Sequence, residues 1–263
     1  MPLNIIDTHA HLDMSQFGDD RDAVIVRAAE VGVKTIVTVG IDLESSRQAI
    51  NLAERHPNIL ATIGFHPQEA SLMQNEAITT MAELTEHPKV VAIGEIGLDY
   101  YRNRTLPEVQ RRVFEQQLEL AGKVDLPVII HSRQADGDTM LMLKEWTKTF
   151  KPNIKAAGII HCFSGNVNIA HQYLGMGFYI SFGAYIGYPS SALSDVIKSI
   201  PADRLLIETD SPFLPPQSHR GKRNEPAYLP MTLAILARLS GKSPDILAKQ
   251  TTENAERIFS KIS

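Results

Sequence analysis

Five histidines and two acids of this chain stand at the ends of apolar, β-branched runs. They are His9 and His11 in "IIDTHAHLD", His66 in "GFHP", Glu95 in "AIGEIGLDYY", His131 in "PVIIHSR", His161 in "IIHCF" and Asp210 in "LLIETDSPFL". Imidazole with carboxylate is the mixed donor set that borderline divalent ions such as Zn²⁺ or Mn²⁺ accept. Residues two apart on an extended strand point to one face, so His9 and His11 can reach one ion together. Four histidines with two acids are enough for two ions if one carboxylate bridges, and Glu95, on a middle strand between the two histidine groups, is the natural bridge. Singly these signals are weak: His-x-His pairs occur without metal, and a lone His131 or His161 would more often be a hydrogen-bonded core histidine. Their shared position at strand ends is what joins them into one candidate site.

The elements that would place them recur along the whole chain. Apolar runs occupy 3–8, 34–39, 59–65, 90–95, 127–131, 157–161, 178–182 and 204–208. Such near-continuous runs fit parallel strands covered on both faces. Helical stretches lie between them, for instance 107–123, where Pro107 suits a first turn and Phe114, Leu118 and Ala121 recur at helical spacing. Eight strand–helix units predict an α/β fold, a (β/α)8 TIM barrel forming one domain over 1–263, with an additional C-terminal helix around 243–260 packed outside. An open doubly wound sheet is the runner-up, but no G-x-G-x-x-G loop follows the first strand. In a barrel all strand C-termini meet at one mouth, which brings the seven residues together.

Composition narrows the function classes. Of 263 residues 43% are hydrophobic and 21% charged, as in a globular protein with a large core, and the single cysteine, Cys162, rules out an intramolecular disulfide. No basic segment precedes a long apolar stretch and no run of about 18 apolar residues occurs, so a cytoplasmic protein without membrane contact is expected. A net charge of −4 argues against wrapping long duplex nucleic acid.

A local phosphate site stays open, because the basic residues gather in the loops after strands. Arg102 and Arg104 lie in "YYRNR", Arg133 in "HSR", and His219, Arg220, Lys222 and Arg223 in "HRGKR". Guanidinium groups bind phosphate well. A solvated charge run is the plain alternative, but the location shared with the metal-type residues favours a phosphate ester. Arg102 and Arg220 are therefore expected to contact substrate, as is Tyr100. Tyr100, Tyr101, Phe163, Tyr185 and Phe213 either stack bases of a single strand or pack the loops. His56 and His87, each before a proline near a helix end, fit dipole partners, and His171 fits a helix surface. Cys162 alternates to the far side of its strand as a packed thiol, with a soft ligand as the alternative. Glu208 either orients a ligand from behind or forms an internal salt bridge.

With these motifs in view the chain resembles the TatD family of metal-dependent deoxyribonucleases, within the amidohydrolase-like barrels. The likeness spans "IIDTHAHLD", "GFHP", "IGEIGLDYY", "PVIIHSRQADGD", "IIHCFSG", "GFYISFGA", "LLIETDSPFL" and "HRGKRNEP" in order. It implies two divalent ions (Zn, Mn or Mg), one held by His9, His11 and Asp210, the other by His131 and His161, with Glu95 bridging where many superfamily relatives use a carboxylated lysine. It also implies that His66 and Arg133 face the substrate phosphate or support the ligands, and that cutting runs 3′ to 5′. The expected reaction is phosphodiester hydrolysis by a water activated between the two metals, with Asp210 as general base and Glu95 as its catalytic companion. DNA, single-stranded or at frayed ends, is the expected substrate, since a concave mouth cannot embrace a duplex, and no obligate protein partner is expected. The alternatives are a hydrolase of a small phosphate ester, lactone or amide on the same barrel, and a non-catalytic nucleic-acid-binding or scaffold protein with a structural metal.

Overall fold

The computed structural model describes residues 4–74, 76–102, 104–149 and 157–259. The apolar runs form β1 (Ile5–Ala10), β2 (Val33–Val39), β3 (Ile59–Ile63), β4 (Val90–Asp99), β5 (Val128–Arg133), β6 (Gly158–Ile160), β7 (Phe178–Phe182) and β8 (Leu205–Ile207). The helices are α1 (Arg21–Glu30), α2 (Leu43–Arg55), α3 (Ala77–Leu84), α4 (Pro107–Val124), α5 (Asp136–Thr149), α6 (Val167–Gly175), α7 (Ser194–Ser199), α8 (Leu229–Ser240) and α9 (Pro244–Ile258). The predicted first run and terminal helix extend to residues 3 and 260, which lie outside the described residues. No helix among the described residues is long and apolar enough to cross a membrane.

The strands pair in parallel in chain order, β1 to β8, which discards the open doubly wound alternative, whose order reverses at a switch point. Closure is made just beyond β8. Ala10 bridges Ser211, the His11 N–H donates to the Ser211 carbonyl at 2.7 Å, and the Asp210 N–H donates to the His9 carbonyl at 2.9 Å. The seam of the barrel thus sets Asp210 beside both histidines.

Every strand contributes to the interior: Ile6, Val37, Leu60, Val91, Ile129, Ile159, Tyr179 and Leu206, with Val39 of β2 and Ala92 of β4 in addition. Ile258 and Phe259 join this inner cluster, so α9 plugs the N-terminal end of the barrel instead of lying outside it as predicted. Its buried Asn254 fastens it there, donating to the carbonyls of Ala202 and Leu205, both at 2.8 Å. A larger apolar shell lies between the strands and the ring of helices.

Two irregularities aim the site. The β1–β2 register shifts between Asp7 and Ala10, and the β4–β5 register shifts between Ile93 and Ile96. Strict alternation from the inward Ile6 would turn His9 away from the interior; the bulge resets the phase, as bulges beside active sites commonly do. Beyond its bulge β4 continues past Glu95 to Asp99. Gly97 permits this, since a Cβ there would lie 2.0 Å from the His131 carbonyl oxygen and its φ is +140°.

Candidate active site

The seven strand-end residues meet at the mouth, and Glu95 is their centre. Its Oε2 lies 3.5 Å from His9 Nε2 and 3.6 Å from His11 Nε2. Its Oε1 lies 2.8 Å from His131 Nδ1, 2.9 Å from His161 Nε2 and 3.8 Å from His66 Nε2. Asp210 Oδ1 completes the first group, 3.8 Å from His9 Nε2 and 3.6 Å from His11 Nε2. One carboxylate therefore turns one oxygen to each of two donor groups.

The histidine ring orientations fit cation binding. His9 Nε2 and His11 Nε2 face each other at 3.2 Å. His11 donates its Nδ1 proton to the Val39 carbonyl at 3.0 Å, which fixes the ring with Nε2 turned into the site. Two such nitrogens converging with carboxylate oxygens suit a shared cation better than a hydrogen bond between the rings. The far nitrogens of the second pair face acids: His161 Nδ1 lies 3.4 Å from Glu208 Oε1, and His131 Nε2 lies 3.4 Å from Asp99 Oδ2. Glu208 Oε1 also accepts the Cys162 N–H at 2.6 Å, so this buried carboxylate faces both the His161 ring and the backbone that follows it.

Burial and charge pull these groups in opposite directions. Burial raises the carboxyl of Glu95, but the neighbouring His161 and His66 and hydrogen bonds from His131 and His161 outweigh it and hold Glu95 well below the usual carboxylate range. Asp210 is likewise lowered, burial being overcome by His11, His161 and His9. Both stay anionic at neutral pH. Burial lowers His11, yet Asp210 and Glu95 raise it to about 9. At His66 burial, helped by His131 and His11, outweighs the pull of Glu95 and Asp99 and takes the ring down to about 3, so it is neutral. Its Nδ1 accepts the Gln68 N–H at 3.1 Å, so the proton sits on Nε2, the nitrogen turned toward Glu95.

Buried polar side chains hold the segments that carry the mouth residues. Gln117 of α4 is fully buried and pairs with both backbone groups of Phe65, at 2.7 and 3.1 Å, fixing the segment that presents His66. Gln110, one face along the same helix, accepts the Asp99 N–H at 2.8 Å and donates to the Asp99 and Thr105 carbonyls at 3.0 and 2.8 Å. Asp7 accepts from the Thr209 N–H at 2.9 Å and the Thr209 hydroxyl at 2.6 Å, tying β1 to the segment that carries Asp210. Sequence reasoning missed these roles and that of Asp99; polar residues inside an apolar periodicity were the only signal.

The rim is less uniform than its charges imply. Arg102, Arg104, Arg133, Arg220 and Lys222 are exposed. Arg133, the last residue of β5, lays its guanidinium 4.0 Å from the ring centre of Tyr101. Tyr101 is the exposed tyrosine, whereas Tyr100 donates its hydroxyl to Asp138 at 2.6 Å and accepts from Arg111 at 3.2 Å. Arg223 is committed to Asp20, at 2.7 and 2.9 Å. Phe213 is exposed and meets His11 edge-on at 5.9 Å, while Phe163 is buried. Tyr185 donates to the Phe163 carbonyl at 2.6 Å. Cys162 departs from the alternation expected of it: β6 ends at Ile160, and Cys162 takes a φ of 49°. Burial, then the nearby Asp210, Glu208 and Glu95, raise its thiol well above the ordinary range. His56 and His87 pair with Asp22 at 3.3 Å and Glu54 at 3.1 Å, away from the mouth.

Comparison with known proteins bears on this geometry. The model of a family described as TatD related DNase matches residues 6–260. An uncharacterized metal-dependent hydrolase of Bacillus subtilis, YabD, is 42% identical over 256 residues, covering 97% of this chain and 98% of its own. A 3′-5′ ssDNA/RNA exonuclease TatD of Erwinia tasmaniensis is 40% identical over 262 residues, covering 97% and 99%. Among solved structures, YJJV of Escherichia coli, a TatD homolog, superposes with a TM-score of 0.92 at 32% identity over 99% of each chain.

Proposed function

The chain belongs to the TatD related DNase family of metal-dependent hydrolases, and from that premise we propose that it removes nucleotides from the 3′ end of single-stranded or frayed DNA by phosphodiester hydrolysis. The observation that carries this reading is the division of Glu95 between two donor groups. The TatD relative named as a 3′-5′ ssDNA/RNA exonuclease supports the polarity and the single-stranded substrate.

In this reading His9, His11 and Asp210 would hold one divalent ion and His131 and His161 a second, with Glu95 shared between the two groups. An imidazole-rich set suits Zn²⁺ or Mn²⁺ better than Mg²⁺, which prefers oxygen ligands and retains waters. Such ions, when bound, lower the proton affinity of water and offset charge building on the phosphate oxygens. The residues of the chain supply the rest. Asp210, anionic and next to both β1 histidines, orients the attacking water and takes its proton as the water oxygen adds to phosphorus. The bond from phosphorus to the 3′ oxygen of the shortened strand then breaks, and that oxygen takes a proton from solvent water to leave as the 3′ hydroxyl. His66 serves as a neutral donor through Nε2 to a non-bridging oxygen. Arg133, Arg102 and Arg220 pair with phosphates along the strand, Tyr101 stacks a base, and Tyr100 braces the loop through Asp138 and Arg111.

The test is cleavage of a 5′-labelled single strand by protein stripped of metal and resupplied with Mn²⁺, with Asp210→Asn beside it. Products shortened from the 3′ end, absent for the variant, are expected. Hydrolysis of a small ester or amide with intact DNA would move the substrate assignment to the alternative chemistry of this barrel.

A further inference from the structure

We propose that Asp99 is a positioning residue, fixing His131 for its ion and setting the substrate-facing loop with the same carboxylate. The proposal rests on the reading above that His131 holds an ion.

Three of the five mouth histidines meet an oxygen at the ring nitrogen turned away from Glu95. His11 Nδ1 has the Val39 carbonyl, and His161 Nδ1 has Glu208. His131 turns Nδ1 to Glu95, so its Nε2 is the far nitrogen, and Asp99 Oδ2 faces it at 3.4 Å. That separation is long for a hydrogen bond, and among the described residues His131 Nε2 has no other hydrogen-bond partner. A carboxylate behind a ligating imidazole selects the tautomer with the proton on the far nitrogen and makes the near one a better donor. Asp99 is thus to His131 what Glu208 is to His161.

Asp99 is itself rigid. It is buried, and its Oδ1 accepts the N–H groups of Tyr101 at 2.9 Å and Arg102 at 3.1 Å. Gln110 holds both of its backbone groups. One oxygen therefore orients the imidazole and the other folds the loop that carries Tyr101 under Arg133. A shift of Asp99 would change the spacing between ion and rim.

Asp99→Asn is the variant that separates the two tasks, since an amide has a single acceptor oxygen and can serve the loop or the imidazole but not both. Mn²⁺ is titrated into metal-free wild type, Asp99→Asn and Gln110→Ala by calorimetry, with thermal melting of each metal-free protein. Wild type is expected to bind two ions. Asp99→Asn is expected to weaken one of them by about 10–100-fold, leaving the other and the metal-free melting point in place. Gln110→Ala, which loosens the same loop without touching His131, is expected to keep both affinities. Equal affinities in wild type and Asp99→Asn, or matching losses in Asp99→Asn and Gln110→Ala, would overturn the positioning role. Wild type that binds no Mn²⁺ would overturn the two-ion reading itself, and the proposal with it.

Discussion

Inside the mouth Glu95 is 3% exposed and has both oxygens committed to histidines, whereas on the rim Arg102, Arg133 and Arg220 are exposed and reach into solvent. Both regions are charged, and they obey different physics. A buried charge persists only with partners, and removing one partner leaves the other uncompensated at a cost of several kcal/mol. A rim charge is screened by salt within about 8–10 Å and contributes through encounter and phosphate pairing. On the proposed function, the interior would govern whether the reaction occurs and the rim how well a strand is held.

The sharpest way to break this comparison is to remove an interior charge. Asp210→Asn should lower kcat on a labelled single strand by about 10³-fold, within the range for loss of a general base, while KM changes little. Gly97→Ala attacks the interior through its frame. Its Cβ would lie 2.0 Å from the His131 carbonyl at a φ of +140°, so denaturant unfolding should show a loss of about 3 kcal/mol.

Acidity acts on the interior as well. His11 of the metal-free protein is raised to about 9, so at neutral pH it carries a proton that an arriving ion must displace. Ion affinity should rise about tenfold per pH unit toward that value and level off above it, as followed by Mn²⁺ titration at several pH values. A flat profile would mean that His11 does not face the ion.

Smaller effects belong to the rim. Arg133→Ala and Arg220→Ala should each raise KM about 5–10-fold with kcat kept, and should flatten the salt dependence of binding, as loss of a phosphate contact does. Arg223 sharpens the contrast because it is basic, on the same loop, and already paired with Asp20 and Glu225. Arg223→Ala should leave activity alone and cost at most about 1 kcal/mol of stability. Hydrogen bonds from Arg223 and Arg27 hold Asp20 down at about 2 against an ordinary 3.8. That pairing stabilises the fold above about pH 4 and is lost as pH falls toward 2, so the wild-type and Arg223→Ala melting curves should converge there.

The cluster at the mouth was legible because strand ends in a barrel converge whatever the loops do, and His9, His11, Glu95, His131, His161 and Asp210 all sit at such ends. Alternation was a poorer guide. The bulges at Asp7–Ala10 and Ile93–Ile96 reset which residues face inward, and nothing in the order of residue types announces an unpaired position. Gln110 and Gln117 share the buried face of α4 with Phe114, Leu118 and Ala121, but residue type and spacing do not tell that they satisfy the backbone beyond β3 and at the end of β4. The same blindness hid Asp99. Helical periodicity located α9 and its apolar face, but a face that plugs a barrel end looks no different in sequence from one that packs against a strand. Of two adjacent tyrosines the sequence could not say which one faces out; Asp138 and Arg111 draw Tyr100 in and leave Tyr101 at the surface.

The central claim is that the interior works as a two-ion centre. Its most direct test is the cleavage rate of a labelled single strand as metal-free protein receives increasing equivalents of Mn²⁺ at a protein concentration well above the ion dissociation constants. A rate that climbs and breaks at two equivalents per chain is the expected result. A break at one equivalent, or full activity before any ion is added, would contradict the account.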